Sequence, residues 1–411
     1  MLQSELFTRT SKTLPKDERS KSAQLLIRAG FIDKLASGVY TFLPLGFLVL
    51  NKLEKLISDE MERVSGQRVI MPALIPKDNW QETKRWDNFD ALFKLKEENV
   101  EYGLGATHEE VVVPLVKKYV SSYKDLPFSV FQIQNKFRNE KRAKSGILRT
   151  REFLMKDLYS FHATEKDLDS YYEKVKGSYL KIFRDLGISK DTYFTLASGG
   201  TFSGLSHEFQ TITEAGEDEI FICNKCKVAV NSDVASKRVK CFKCGKVLKE
   251  VKKSIEVGNI FKLGDKYSKA FGLEFVDSKG EKRNVLMGTY GIGLPRLIGA
   301  VVEVLSDENG IVWPDLISPF SYHLIQIENK VKKEALKIYR TLQKLNLEVI
   351  YDDRIDKTPG EKFTDCDLIG VSTRIVVSKK TLAKNSVELK LRREKKKRLV
   401  KIKDLSRVLT K

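Results

Sequence analysis

The chain has 411 residues, 41% of them hydrophobic and 31% charged. That balance excludes a disordered or collagen-like chain, and the length exceeds one ordinary core, so two or three domains are expected. The formal net charge of +19 favours a polyanionic partner, nucleic acid before membrane, although a merely basic enzyme also fits.

Residues 35–51 form the most apolar stretch, but they contain Gly38, Pro44 and Gly46 and fall short of the ~20 apolar residues of a bilayer span. No membrane partner is expected. The start lacks the basic-then-apolar order of a secretion signal, which points to a cytoplasmic location.

In chain order, residues 20–30 predict a short helix with Leu25, Leu26 and Ala29 on one face and Gly30 as its stop. Residues 48–64 carry the 3.6-residue period of a long amphipathic helix, through Leu53, Leu56, Ile57, Glu60 and Met61. Val69-Ile70-Met71-Pro72 predicts a strand closed by its proline. Residues 131–137 and 149–156 predict two strands joined by a basic loop over 141–146. Residues 167–186 predict a helix, with Tyr171, Tyr172, Val175, Tyr179 and Ile182 at helical spacing. Strands and helices come in runs rather than in strict alternation, which predicts an α+β fold with an antiparallel sheet. Pro314 and Pro319 mark a boundary. Beyond it, strands at 322–327, 347–351 and 374–378 and a helix at 331–345 predict a small α/β domain.

Three stretches carry chemistry. Phe137-Arg138-Asn139-Glu140 precedes the basic loop, and Leu148-Arg149-Thr150-Arg151-Glu152-Phe153 follows it. On a strand, Arg138 and Glu140 share a face. A guanidinium there can hold a phosphate bidentately while the carboxylate accepts from an adenine amine, and Phe153 offers a stacking face. By itself an Arg-x-Glu pair is also a common surface ion pair. Gly105-Ala106-Thr107-His108-Glu109-Glu110 can present a hydroxyl and a carboxylate to an ammonium group, or simply open a helix with acidic residues. Met287-Gly288-Thr289-Tyr290-Gly291-Ile292-Gly293-Leu294-Pro295-Arg296 runs into an apolar helix and brings Arg296 to a strand-to-helix junction. Its glycine spacing is not that of a dinucleotide fingerprint.

Cys223-x-x-Cys226 and Cys241-x-x-Cys244 are separated by residues 227–240, the pattern of a four-thiolate zinc ribbon. All four positions are taken by protein ligands, so a Zn²⁺ there would be structural rather than catalytic. A reduced ribbon without metal or a redox pair are the alternatives, and Cys366 reads as a packed thiol.

In this order, the three stretches resemble the bacterial-type prolyl-tRNA synthetases, members of the class II aminoacyl-tRNA synthetases, and the similarity runs across nearly the whole chain. Residues 35–46 through Met71-Pro72 are similar to the family's first motif, which builds a dimer interface. Trp80-Gln81-Glu82, Ser206-His207-Glu208-Phe209-Gln210, Gly216-Glu217-Asp218, Glu256-Val257-Gly258-Asn259-Ile260-Phe261 and Gly310-Ile311-Val312-Trp313-Pro314 match further signatures. The resemblance implies a class II antiparallel-sheet catalytic domain over 1–222 and 251–318. It implies a zinc-ribbon-like insertion over 223–250 and an α/β anticodon-binding domain over 319–411. It implies a homodimer that activates proline with ATP and Mg²⁺ to prolyl-adenylate, then transfers proline to the 3′ end of tRNA(Pro).

Residue by residue, the resemblance assigns the proline imino group to Thr107 and Glu109. Arg138 would grip the carboxylate side and the α-phosphate, and His207 would line the proline pocket. Glu140, Arg149, Thr150 and Phe153 would hold ATP, and Arg296 would contact the γ-phosphate. Arg138 and Arg296 are thus the expected catalytic pair. Asp352-Asp353-Arg354, Pro359-Gly360-Glu361-Lys362-Phe363 and Leu368-Ile369-Gly370 resemble the anticodon-binding domain, with Asp353, Arg354, Glu361 and Lys362 as candidate tRNA contacts. The basic run 390–398 is either a solvated face or a phosphate contact. Many bacterial relatives carry a large editing domain where residues 223–250 stand, so no clearance of mischarged alanine is expected. Thr289 stands where many have cysteine. A class II synthetase for threonine or serine, a non-catalytic RNA-binding paralogue and a zinc-ribbon nucleic-acid binder are the competing readings.

Overall fold

The computed structural model describes residues 1–141, 143, 145–200, 204–236 and 238–409. Arg142 and Lys144 of the basic loop, and Lys237 between the cysteine pairs, lie outside the described residues.

The helices among the described residues are α1 (Lys21–Arg28), α2 (Pro44–Arg63), α3 (Lys77–Glu82), α4 (Arg85–Asn88), α5 (Glu109–Val116), α6 (Glu165–Asp185), α7 (Lys266–Phe271), α8 (Leu294–Leu305), α9 (Lys332–Lys344), α10 (Pro359–Ile369), α11 (Lys379–Leu382) and α12 (Leu405–Leu409). The first strands are β1 (Ile32–Ala36), β2 (Val39–Phe42), β3 (Gly66–Arg68), β4 (Leu74–Pro76), β5 (Lys94–Glu97), β6 (Val100–Leu104), β7 (Phe128–Phe137) and β8 (Glu152–His162). Then come β9 (Thr192–Ser198), β10 (Leu205–Ile212), β11 (Asp218–Cys223), β12 (Val228–Asn231), β13 (Val251–Gly264), β14 (Glu274–Val276), β15 (Lys282–Asn284) and β16 (Leu286–Gly293). The last are β17 (Tyr322–Gln326), β18 (Val349–Asp352), β19 (Thr373–Val377), β20 (Ser386–Leu391) and β21 (Lys397–Lys401). Two compact units result, one of Ala36–Tyr40 and Glu54–Ala300, the other of Met1–Leu35, Thr41–Leu53 and Val301–Lys411.

The larger unit is built on a nine-stranded sheet in the order β10-β9-β12-β11-β13-β16-β8-β7-β3. Its pairings are antiparallel except β12 with β9 and β3 with β7. β10 also pairs with β13, so β10, β9, β12, β11 and β13 close into a ring. The sheet has two distinct faces because successive side chains alternate. On one face lies α6, which buries Leu168, Tyr172, Val175, Tyr179, Ile182 and Phe183 at helical spacing. Thr164 starts this helix by accepting from the Asp167 amide at 3.3 Å, a cap worth about 1 kcal/mol. The opposite face carries Phe153, Met155, Asp157 and Tyr159 of β8, and it is the face of the cleft.

Several strands differ from the sequence reading. Val69 to Pro72 is not a strand; β3 lies just before it, parallel to β7. The Met71 amide donates to the Gln132 side chain at 2.9 Å instead of to a neighbouring strand, and Pro72 has no amide to offer. β8 starts at Glu152, so Arg149 and Thr150 precede the strand, following a single 3₁₀ turn over Gly146–Leu148. β7 ends at Phe137, and the Glu140 amide bonds back to the Arg138 carbonyl at 2.6 Å. Arg138 and Glu140 therefore flank a tight turn rather than sharing a strand face.

The smaller unit has a five-stranded sheet ordered β18-β17-β19-β20-β21, parallel over its first three strands and antiparallel beyond. Its core is formed by Leu324, Ile338, Leu342, Ile375, Val377 and Leu389, among others. The basic run is the tip of the β20–β21 hairpin. Residues 1–35 belong to this unit. The Met1 ammonium donates to the Tyr339 hydroxyl at 2.6 Å and to the Val349 carbonyl at 3.0 Å, and buried Gln3 meets His323 Nε2 at 2.9 Å. α2 begins at Pro44, earlier than expected, since proline suits a first helical position. Gly46 there leaves room for the Phe31 carbonyl, which a β-carbon would approach to 2.0 Å.

Candidate active site

Three arginines from three separate stretches meet in the larger unit. Arg138 stands where β7 ends; its amide continues the ladder to the Arg151 carbonyl at 2.8 Å. Its Nε donates to the Ala106 carbonyl at 3.2 Å, and its guanidinium carbon lies 5.3 Å from the Phe153 ring centre. Arg149 follows the 3₁₀ turn and pairs with Glu140 at 2.9 Å and with Glu217. Arg296 comes from the first turn of α8, where β16 runs directly into the helix. Its Nε donates to the Leu148 carbonyl at 2.9 Å, and it pairs with Glu256 at 3.2 Å. All three line one cavity, together with Glu140, Thr150 and Phe153. Fixed guanidinium groups beside an aromatic face are the chemistry that holds a nucleotide's phosphates and base.

A buried carboxylate, Glu109, acts electrostatically on the Arg138 end. The Thr107 hydroxyl donates to Glu109, and the Thr289 hydroxyl donates to its other oxygen at 3.3 Å. Glu109 is 1% exposed, and burial, together with neighbouring Glu110, pushes its carboxyl above the ordinary range while Arg85 opposes them. Beneath it runs a buried polar layer. Lys136 and Asp157 pair at 2.7 Å, and Asp157 also accepts from Gln132 at 3.0 Å and from the Tyr159 hydroxyl at 2.9 Å. The Tyr159 oxygen in turn accepts from the His108 amide at 3.1 Å. Burial and Lys136 push His108 down to about 4. The neutral ring's Nε2 therefore carries the proton and donates to the Pro72 carbonyl at 3.1 Å.

Carboxylates that the sequence reading left without a role line the other end. Glu208, Asp218, Asp233 and Glu256 face a cavity shared with all three arginines. Gln210 donates to Glu208 at 2.9 Å and to Asp218 at 2.8 Å. Burial, with Glu256 and Asp218 close by, pushes Glu208 up to about 8. The signal in the sequence is the acidic members of the signatures around 208, 218 and 256.

His207 is not brought to this site. Glu208 faces the cavity, so its neighbour on the strand turns to the opposite side. There the His207 ring stacks on Phe194 with centres 4.4 Å apart, and Nδ1 lies 2.8 Å from the Tyr172 hydroxyl of α6. The candidate tRNA contacts of the smaller unit are also differently employed. Lys362 is 1% exposed and donates to the Gln326 carbonyl at 2.6 Å, and Glu361 closes a capping box with Thr358 at the start of α10. Arg354 is held by Asp352 at 2.7 Å and Asp365 at 3.0 Å, and Asp353 accepts from the Ser4 amide and hydroxyl. Lys362 and Glu361 are thus each engaged within the smaller unit itself.

Cys223, Cys226, Cys241 and Cys244 converge at the turn of the β11–β12 hairpin and the loop that follows it. Their sulfurs all lie within 4.8 Å of one another, with Cys223 and Cys244 at 3.9 Å. Tetrahedral zinc with Zn–S of about 2.3 Å needs sulfurs roughly 3.8 Å apart, so the set fits. Cys366 is buried in the smaller unit.

Residues 93–305 match the tRNA synthetase class II core domain (G, H, P, S and T), and residues 316–411 match an anticodon-binding domain. Fold and match together define a class II aminoacyl-tRNA synthetase carrying its anticodon-binding domain. The fold is similar to prolyl-tRNA synthetase from Cryptosporidium parvum complexed with halofuginone and AMPPNP, with a TM-score of 0.78 at 20% identity, over 95% of this chain and 76% of that one. It is likewise similar to the Giardia lamblia prolyl-tRNA synthetase in complex with prolyl-adenylate, with a TM-score of 0.77 at 21% identity, over 96% and 78% of the two chains. The sequence is 38% identical over 404 residues to a proline–tRNA ligase of Wolbachia sp. subsp. Drosophila simulans (strain wRi), covering 95% of this chain and 94% of the relative. With that of Bacillus cytotoxicus it shares 32% identity over 561 aligned residues and 98% of each chain. That alignment is longer than this chain, so the Bacillus relative carries residues that have no counterpart here. The chain belongs to the proline–tRNA ligase family.

Proposed function

We propose that this chain activates proline with ATP and loads it onto the 3′ end of tRNA(Pro), and that Arg138, Arg149 and Arg296 serve that reaction. The observation that carries the reading is their convergence on one cavity next to the buried Glu109 carboxylate. Glu109 and Thr107 receive the proline amine. Arg138, anchored on Ala106 and stacked on Phe153, lies between that amine pocket and the nucleotide, where it holds the α-phosphate as the proline carboxylate attacks it. Arg149, Arg296, Glu140 and Thr150 orient the rest of the ATP. Positioning and charge stabilisation account for the catalysis without a side-chain nucleophile.

ATP enters with Mg²⁺, for which all-oxygen donors are the suitable set. Glu208, Asp218 and Glu256 line the cavity shared with the three arginines, and one or two of them together with the phosphate oxygens would hold the ion, which offsets triphosphate charge when bound. The four cysteines would hold a structural Zn²⁺. Cys241→Ser is expected to lose the bound zinc, read by metal analysis, and to lower the thermal midpoint; unchanged zinc content would remove the reading. We further propose a homodimer and a cytoplasmic location. Exposed apolar Ile70 and Leu74, beside the stretch that resembles an interface motif, support the dimer. Among the described residues no helix is long and apolar enough to cross a membrane.

The deciding experiment is aminoacylation of a tRNA(Pro) transcript with proline and with alanine. Charging by proline above all other amino acids is expected, and preference for threonine or serine would overturn the reading. Residues 223–250 stand where an editing domain would be, and the β11–β12 hairpin and four cysteines fill that span. Alanyl-tRNA(Pro) is therefore expected to decay no faster with the purified protein than in buffer, and rapid deacylation would refute this.

A further inference from the structure

Glu109 and Glu110 open α5 side by side, 1% and 0% exposed. Arg85, itself 5% exposed, begins α4 and reaches both, at 3.5 Å to Glu109 and 3.1 Å to Glu110. One guanidinium serves two carboxylates, so when both are ionised the trio carries one negative charge, which Lys136, Arg138 and Lys266 offset in part. Such a charge is costly unless a cation meets it, and the ammonium group of an amino acid is a cation of the right size.

The two carboxylates are held differently. Glu110 is turned back into the protein. It accepts from the Thr83 hydroxyl at 2.8 Å and from Arg85, while Asn79 donates to its carbonyl at 2.7 Å. Glu109 turns instead toward the hydroxyls of Thr107 and Thr289. The Arg85 head is itself fixed. It lies 4.5 Å from the Phe89 ring centre and 5.8 Å from that of Trp80, and it donates to the Tyr267 hydroxyl at 3.3 Å. Trp80 is 0% exposed, so the platform beneath the guanidinium is rigid.

We propose that Arg85 is a positioning residue: by bridging Glu109 and Glu110 it holds the Glu109 carboxylate toward Thr107 and Thr289, ready for the amine of the amino-acid substrate. The proposal rests on Glu109 being the amine's partner, as set out above. Arg85 touches no substrate and acts through Glu109 alone. Lysine cannot replace it fully, because one ammonium lacks the planar fork that spans two carboxylates.

The test is steady-state ATP–pyrophosphate exchange with proline and ATP varied separately, on Arg85→Met, Arg85→Lys, Glu109→Gln and the double variant Arg85→Met/Glu109→Gln. Arg85→Met is expected to raise KM for proline about 10- to 100-fold, the scale for a displaced binding group, and to leave KM for ATP within about threefold. Arg85→Lys falls between it and the unchanged protein. Because Arg85 works through Glu109, the double variant should bind proline no worse than Glu109→Gln alone; additive losses would mark a general structural role and overturn the proposal. If Glu109→Gln leaves KM for proline unchanged, the reading of Glu109 fails. If Glu109→Gln raises it and Arg85→Met does not, the proposal about Arg85 fails. Should Arg85→Met not fold, Arg85→Lys decides: a raised KM for proline with an unchanged KM for ATP supports the proposal, and no change in either overturns it.

Discussion

Alanine in place of Arg138 is expected to slow proline-dependent ATP–pyrophosphate exchange by about 10²–10³-fold, the usual cost of removing a fixed donor from developing negative charge. The guanidinium lines the arginine cavity near buried Glu109, and its Nε is anchored on the Ala106 carbonyl. Its loss should therefore cost rate rather than fold, and the thermal midpoint should move little. Lysine should rescue poorly, since an ammonium lacks the planar face that stacks on Phe153. A loss in exchange of less than about tenfold would remove Arg138 from the reaction.

The second large effect is on stability. Lys136→Met is expected to lower the unfolding free energy by about 3–5 kcal/mol, as for other buried pairs that lose one partner. Both Lys136 and Asp157 are nearly inaccessible, and removing the ammonium strands a carboxylate whose remaining partners are Gln132, Tyr159 and the neutral His108. Adding Asp157→Asn should recover part of the loss by removing the stranded charge. Urea unfolding of the single and double variants checks both. The pH dependence has a definite sign. Burial pushes the Asp157 carboxyl up, but the Lys136 ammonium, with Gln132 donating as well, outweighs it, and the net shift is downward. Its contribution is thus fully present above the ordinary carboxylate range and is lost as pH falls through that lowered value. A loss from Lys136→Met of under about 1 kcal/mol would show the pair to be dispensable.

Long elements that bury one face were legible from the sequence. α6 repeats its buried side chains every three to four residues, and its predicted bounds differ by only one or two residues from those observed. Short apolar runs were not. Val69 to Met71 has a strand's composition, but a side chain takes the Met71 amide, and composition carries no trace of that. The site residues were legible as types and not as a place. Nothing in the periodicity of three separated stretches says that Arg138, Arg149 and Arg296 meet; the family resemblance supplied that link. His207 and Lys362 illustrate two different losses. Once residues 205–212 form a strand, only one of His207 and Glu208 can face the cleft, and the motif names both. Lys362 follows a Thr-x-x-Glu cap that was present in the sequence, yet a lysine with a fully buried ammonium looks the same in sequence as a solvated one. Arg85 left no signal of its own, because its partners come from another helix.

The closed ring of β10, β9, β12, β11 and β13 gives the cysteine segment a second task. Two of the five staves come from the hairpin that the cysteines tie off. Were that hairpin to come loose, β9 and β13 would each present bare amides and carbonyls along a newly opened margin. Such margins recruit strands from other molecules. A metal held by these thiols would therefore guard the protein against self-association as well as shape the wall of its cleft.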